Sequence, residues 1–444
     1  MISSDPAERA ATAAAVTIAP LPPVPTADAL AAFKDRVATT EDPAQLVKLS
    51  SDWSKMSPVL QEKLPAGRFT AQLLVAPTTP SEIPGILREA HELGIPITPR
   101  GAGTGNYGQA TPFAGGAVLD LRACSRVLEV GDGFVRVEPG AKLTDVDAAV
   151  RATGQDLWMF PSTKGSTAGG FVGGGSAGTG SIEHGTTFDG FVLALTVAPC
   201  DGSGSTFTVS GAEALPYVHA YGVTGVLTEL TLATEPARDW VALYAAVDDY
   251  GTGTAILRRL REFGPRLASL DELPLVQSLP SEYVDKSKIS LRTIIVSTAV
   301  VGITSLVEGL GGAVTAVVDG VEATDLLSGM SYNHPVYFRQ QAGHPCFHLE
   351  SSGDPLWDAP DQVRALLPNV CLHLELGPRG VQAMIVADYV DEAQVLAGIT
   401  ALQDIGVGVH SPHQWYVDRQ LPVIRELAPR IDPKGLLNPG KLVP

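Results

Sequence analysis

Cysteine is scarce in this 444-residue chain. Four thiols, Cys124, Cys200, Cys346 and Cys371, stand far apart with no C-x-x-C pair. That spacing argues against a zinc knuckle, a disulfide framework or an iron–sulfur centre held by the chain's own thiolates. Basic residues are also few, 31 Lys and Arg against 48 Asp and Glu, and the formal charge of -17 argues against nucleic acid or an anionic membrane as partner. No breaker-free apolar run reaches about 18 residues, so no membrane span is expected. The first 30 residues are rich in Ala and Pro but lack a basic stretch followed by a compact apolar core. They read as a disordered tail, not a signal peptide, and a reducing cytoplasm is the expected location.

Glycine, in contrast, is concentrated. One run is Arg100-Gly101-Ala102-Gly103-Thr104-Gly105-Asn106; the other extends from Gly169 through Gly174 and Ser176 to Gly180. Each follows an apolar, strand-like stretch. Glycine lets successive backbone N–H groups converge on an anion, so two such runs suggest a pyrophosphate held from both sides. A flexible linker is disfavoured by the apolar flanks and the lack of repetition. A G-x-G-x-x-G dinucleotide turn is disfavoured as well: the first run alternates its glycines, and the breaker-rich Tyr107 to Pro112 cannot open a helix.

Periodicity places a lead-in helix at Asp28 to Val37, a strand at Leu73 to Ala76, a helix at Ser81 to Leu93 and a strand at Ile95 to Thr98 that delivers the first glycine run. A hairpin around Gly131-Asp132-Gly133, a helix at Leu143 to Ala152, a second hairpin around Asp201 to Gly204 and a strand at Val226 to Ala233 follow. Hairpins among alternating strands and helices indicate an α+β fold. The glycine-rich texture stops near Glu235 to Arg238. The expected division is a tail at 1–30, a cofactor domain at 31–237, a substrate-cap domain at 238–409 and a C-terminal segment at 410–444 that returns to the first domain. The cap reads as an antiparallel sheet with helices on one face.

Four stretches occur in a telling order: Val75-Ala76-Pro77 with its following helix, Pro99 to Gly105, Pro161-Ser162-Thr163 running on to Thr167-Ala168-Gly169-Gly170, and Asp432 to Lys441. Together they resemble the vanillyl-alcohol oxidase/p-cresol methylhydroxylase superfamily of FAD flavoproteins, most nearly the branch of the glycolate oxidase flavoprotein subunit. The resemblance implies two α+β subdomains clasping FAD beneath an antiparallel α+β cap. By it, Arg100, Gly101, Ala102, Gly103, Thr104, Gly105 and Asn106 meet the diphosphate. Pro161, Ser162, Thr167, Gly169, Gly170, Gly174, Ser176 and Gly180 line the flavin and ribityl chain, Gly225 and Val226 the adenine side, and Asn438 and Lys441 the returning C-terminus. Relatives with a doubly tethered flavin carry a histidine in the first loop and a cysteine in the second. Here Thr104 and a cysteine-free run from Pro161 to Gly180 imply noncovalent FAD, with a tether from His334, His413 or a cap tyrosine left open.

With FAD as electron sink, the protein must supply a substrate anchor and a proton acceptor, a role that suits histidine. Only nine histidines exist. The densest polar cluster, Ser331 to Arg339, is expected on an irregular strand, and His410 to Tyr416 forms a second. Candidate catalytic residues are His334 or His413 as base, Tyr332 or Tyr337 steering the hydroxyl, and Arg339 anchoring an acidic substrate. His184, His344 and His348 read as structural. Cys371, His373 and Glu375 share one strand face and could suggest a metal, but on ligand count a packed or substrate-facing polar strand is the better reading, and no metal is expected.

The expected activity is FAD-linked oxidation or dehydrogenation of a CH–OH donor, a 2-hydroxy acid or an aromatic or secondary alcohol, with oxygen or an electron-transfer protein as acceptor. An NADPH-linked flavin reductase and an electron-relay subunit of a larger complex are the alternatives. A homodimer is left open.

Overall fold

The computed structural model describes residues 6–18, 21–65 and 67–442. Among these, no helix is long and apolar enough to cross a membrane. The chain builds three sheets. The first is parallel, with Ala117–Asp120 between Leu73–Val75 and Ile97–Arg100. Its crossover helix, Ile83–Leu93, starts after a Thr79/Glu82 capping box and stops at Gly94, whose φ of 69° is left-handed. The helix buries Ile83, Ile86, Leu87 and Ala90 against the sheet.

The second sheet is antiparallel, ordered Val127–Gly131, Phe134–Val137, Val226–Pro236, Val192–Ala198, Phe207–Ser210, with Gln155–Leu157 paired to the long central strand. Helix Leu143–Arg151 buries Leu143, Val146 and Val150 on it. The α+β class is therefore as expected.

Eight antiparallel strands between Trp240 and His410 make the third sheet. One face carries helices Tyr250–Leu260, Val300–Gly309 and Glu392–Asp404 through Leu257, Val307 and Ile399. The other face is also covered, which corrects the one-sided expectation. All eight residues of Trp240–Val247 are buried, so Leu243 and Tyr244 enter different cores, and helix Val321–Ser328 closes the second through Leu327. A strand apolar on both faces needs a layer on each.

Local structure departs from expectation at several points that shape the site. Ser331 to Arg339 is not a strand: Tyr332 sits at a left-handed φ of 55°, and helix His334–Gln341 follows. Pro335, in its first turn, lacks an N–H that would have gone unpaired there anyway. Part of the second glycine run, Ala168–Gly174, is helical, with Thr167 as its cap. Ahead of the turn-rich terminus, Leu421–Ile431 is a helix. The final residues do return to the first sheet, where Ile97 N–H donates to Leu436 O at 2.8 Å and Asn438 N–H to Ile97 O at 2.8 Å.

The tail expected at 1–30 falls partly on residues 1–5 and 19–20, outside the described residues. Within them, Pro6–Thr12 is helical and Ala27–Arg36 forms the lead-in helix. Residues 6–18 are thus ordered by contacts: Gln403 Nε2 donates to Arg9 O at 3.3 Å, Lys63 Nζ to Val16 O at 3.0 Å, and Val16 is buried beside Leu60, Phe113 and Trp415.

Candidate active site

Strand Ile97–Arg100 ends where its sheet meets the second one, and the first glycine run turns there. Gly101 is obligatory because a Cβ would run into Thr167 Oγ1. Gly103 combines a φ of 70° with a Cβ direction blocked by the Arg100 guanidinium. Arg100 itself donates to Ser51 O at 2.6 Å. Further bonds join the two runs: Thr104 Oγ1 lies 2.7 Å from Ser166 Oγ, and Gln109 Nε2 donates to Gly174 O at 3.2 Å. Thr167 Oγ1 accepts from Gly170 N–H at 3.2 Å, capping the short helix.

Both runs face one cavity of about 780 Å³, within the range of cofactor clefts. Its walls include Arg100, Gly101, Ala102, Gly103, Thr104, Gly105, Asn106, Pro161, Ser162, Thr167, Gly169, Gly170, Gly174, Ser176, Gly225 and Val226. Gly180, Asn438 and Lys441 stand behind them. Gly180 N–H donates to Arg266 O at 2.9 Å. Asn438 Nδ2 donates to Gln109 O and Tyr221 O, each at 2.8 Å. Lys441 is fully buried, with Nζ 2.5 Å from Gly108 O and over the Phe113 ring, and burial pushes its amine well below the usual range. The C-terminal residues therefore hold the exit of the first loop from behind. A cavity wall of glycine backbone, tight enough that a Cβ at Gly101, Gly103 or Gly105 would clash, and buried Asn106 Nδ2 without a partner fit an elongated anionic cofactor.

The same cavity is lined by a cluster of ionisable groups. Glu350 is the cross-strand partner of His410, and His410 Nδ1 lies 2.8 Å from its carboxylate. His410 Nε2 lies 2.5 Å from Asp418, and the Tyr107 hydroxyl donates to Glu350. Burial disfavours the charge on His410, yet Asp418 and Glu350 raise it to about 10. Burial alone would raise Glu350, but His410 and the Tyr107 hydrogen bond bring it down to about 2. Asp418, buried too, is held well below the carboxylate range by His410. His219, lowered to about 4 by burial, faces Gly175 O through Nδ1 and the Tyr221 hydroxyl through Nε2, both at 3.2 Å. His219 and Tyr221 both adopt a φ of 52°, a strained backbone for residues of this size.

Sequence reasoning passed over Glu350, Asp418 and His219, and took Tyr107 only as a helix breaker. His410 fell inside a noted cluster whose candidate was His413. Adjacency to the first glycine run was the one signal for Tyr107. Glu350 had none, since only strand pairing brings it to His410.

The sequence-derived catalytic candidates separate in space. Tyr332 reaches the cavity, its hydroxyl donating to Gly178 O and its N–H to Glu375, each at 2.7 Å. His334 touches the wall through Thr163 Oγ1 at 3.0 Å, with Nδ1 2.6 Å from Gly329 O, and burial lowers its pKa. Tyr337 packs edge-on against Trp53, and Arg339 donates to Pro274 O at 3.1 Å. Neither lines the cavity. His413 is also behind the wall: Nδ1 lies 2.6 Å from Ser57 Oγ, and burial followed by His348 lowers it to about 3.

His184 stacks on Trp158, His348 is fully buried and His344 is exposed. The Cys371 face holds no convergent donor set. Cys371 packs with Leu275, Val336 and Met384, while His373 sits between Asp271 at 2.9 Å and Glu375 at 3.0 Å. Asp271 in turn binds the fully buried Arg292.

Known proteins resemble this chain over parts of its sequence and in its fold. The family described as an FAD binding domain matches residues 71–208. A Mycobacterium tuberculosis (strain H37Rv) protein named FAD-linked oxidoreductase Rv2280 is 38% identical over 111 residues, 24% of each chain. D-lactate dehydrogenase of Anaerostipes hadrus is 31% identical over 180 residues, 38% of each chain. Glycolate oxidase subunit GlcD of Bacillus subtilis is 31% identical over 189 residues, 39% of this chain and 40% of its own. The matches thus span between a quarter and two fifths of these relatives' lengths. Among solved structures, an alkyldihydroxyacetonephosphate synthase superposes with a TM-score of 0.75 at 16% identity, covering 95% of this chain and 88% of that one, a likeness of fold.

Proposed function

We propose that this chain, which belongs to the vanillyl-alcohol oxidase/p-cresol methylhydroxylase superfamily of FAD flavoproteins on the branch of the glycolate oxidase flavoprotein subunit, is an FAD-dependent oxidoreductase acting on a hydroxyl-bearing carbon. The observation that carries this reading is one cavity lined both by the glycine runs and by the Tyr107, Glu350, His410 and Asp418 cluster. Gly101 to Gly105 would hold the diphosphate by backbone amides, and Ser162, Thr167 and Ser176 the remainder of the cofactor. Bound FAD supplies the acceptor for a hydride and its electron pair. With Thr104 bonded to Ser166 and every described cysteine buried away from the cavity, FAD is held noncovalently.

Within the CH–OH class, 2-hydroxy acids fit best. Arg419 lines the cavity, its Nε makes no hydrogen bond, and Asp418 stands 3.9 Å away. Arg419 takes the anchoring role expected of Arg339, pairing with a substrate carboxylate. Tyr332 and Asn333 border the same space and orient the substrate.

The test is anaerobic mixing of the yellow protein with a panel of 2-hydroxy acids, secondary alcohols and NADPH. Bleaching by a hydroxy acid supports the reading. Bleaching by NADPH with no response to any hydroxyl compound replaces it with a reductase. Peroxide release in air would identify oxygen as acceptor, and its absence an electron-transfer protein.

A further inference from the structure

The ionisable cluster in the cavity is short of one proton. A ring nitrogen that faces a carboxylate at hydrogen-bond distance carries hydrogen, and both nitrogens of His410 do so, toward Glu350 and Asp418. His410 is therefore an imidazolium between two carboxylates, and the three groups sum to one negative charge. Every neighbour that faces them bears on this sum. His219 donates from Nδ1 to Gly175 O, its Nε2 lies 3.2 Å from the Tyr221 hydroxyl and 3.7 Å from Asp418, and burial, by lowering its pKa to about 4, keeps it neutral. His348, on the same strand face as Glu350, is buried without a partner and neutral. Arg419 is a cation beside Asp418, and a substrate carboxylate paired with it removes it from the balance. Tyr107 and Tyr221 are phenols whose ionisation burial opposes.

Resting on the hydroxyl-oxidation reading above, we infer that Tyr107 and Glu350 form the proton-accepting arm of this site, with His410 fixed as a cation by Asp418. The Tyr107 hydroxyl already donates to Glu350, so its oxygen is free to accept, and Tyr107 lines the cavity. In the step, the substrate O–H bond breaks and its proton goes to the Tyr107 oxygen. The former Tyr107 proton passes to Glu350. The C–H electron pair leaves with hydrogen as hydride to bound FAD, and the carbon–oxygen bond becomes double. Atoms and charge balance, and the three-group cluster becomes neutral.

A carboxylate held near pH 2 is a weak base toward an alcohol, yet it suffices here. As the hydride departs, the hydroxyl becomes that of a protonated carbonyl, a strong acid, and the transfer runs downhill. The same low value keeps Glu350 ionised across neutral pH. Asp418 acts through His410 and is a positioning residue.

Three measurements test the arm. Tyr107→Phe keeps the ring against His410, so flavin should be retained while anaerobic bleaching at saturating substrate slows about 100-fold or more. Bleaching of Y107F within threefold of the parent overturns the assignment, although a parent flavin that bleaches still upholds the hydroxyl reading. Should Y107F lose flavin, Glu350→Gln is judged by the same limits. The parent rate should be flat from about pH 5 to 9, whereas a base titrating near 6.5 would impose a rise across that range and overturn the arm. Independently of activity, nitrogen NMR of ¹⁵N-histidine protein should show His373 and His410 as imidazoliums into the alkaline range, the one lost earlier in Asp418→Asn being His410. His410 titrating near 6.5 in the parent would overturn the proposal even where no substrate has been found.

Discussion

Gly101 and Thr167 stand so close that a Cβ on the glycine would overlap the threonine Oγ1. The two glycine runs, 60-odd residues apart, are therefore packed together as one structure. Thr167 also caps the helix Ala168–Gly174 with that oxygen, so a single methyl on the first run reaches the second.

Gly101→Ala should accordingly displace Thr167 and forfeit its cap, worth about 1 kcal/mol. The larger effect is on the cradle: flavin retained through gel filtration should fall well below that of the parent, with a lower melting temperature. A G101A protein that keeps stoichiometric FAD and the parent melting temperature would show that the runs can part without cost.

Asn438 secures the back of the same cradle with two 2.8 Å donations, to Gln109 O and Tyr221 O. Asn438→Asp keeps the shape but removes both donors and buries a charge against two carbonyls. A loss of about 2–4 kcal/mol is expected from denaturant unfolding, because each orphaned buried acceptor costs about 1–3. A loss below half a kcal/mol would mean that the returning terminus does not brace the loop.

The histidines set opposing limits on stability with pH. Despite burial, Asp271 and Glu375 raise His373 to about 9, as Asp418 and Glu350 raise His410 to about 10. These values exceed the ordinary 6.5, so the stabilisation is complete below 6.5 and is lost as pH rises through 9 to 10. Burial lowers His219 and His348 to about 4 and His413 to about 3. Their contribution is present above 6.5 and is lost as pH falls toward 4 and 3. Scanning fluorimetry should give a melting temperature that peaks near pH 6.5. His373→Gln should lower the peak and flatten the alkaline side; an unchanged alkaline slope would remove His373 from the explanation.

Acid precipitation should send all yellow colour into the supernatant. Both nitrogens of His410 face carboxylates, those of His219 face Gly175 O and Tyr221, and the four cysteines lie buried outside the cavity. A yellow pellet would reveal a tether that this arrangement does not supply.

Much of the cradle was legible in the chain because its determinants are local. A glycine at 103 with φ of 70°, or a strand ending at Arg100, follows from neighbours a few positions away. Positions from Arg100 to Val226 that line the cavity were accordingly named from residues, motif order and resemblance. Errors arose where distant partners decide. Ser331 to Arg339 has strand-like residues, yet Glu375 pins the Tyr332 N–H from another strand and the chain turns into a helix. Gly180, Asn438 and Lys441 carry motif positions, but they support the wall from behind.

By itself, then, the sequence determined two glycine runs of the kind that can cradle an anion, an α+β frame and a chain poor in cysteine and in basic residues. Those properties reside in composition and in contacts a few residues long. The tertiary structure alone decided which ionisable groups meet. His410 lies 60 residues from Glu350 in the chain, and only antiparallel pairing in a two-sided sheet sets them side by side. Burial then couples their charges, and an imidazole that the sequence shows as an ordinary neutral ring becomes a fixed cation.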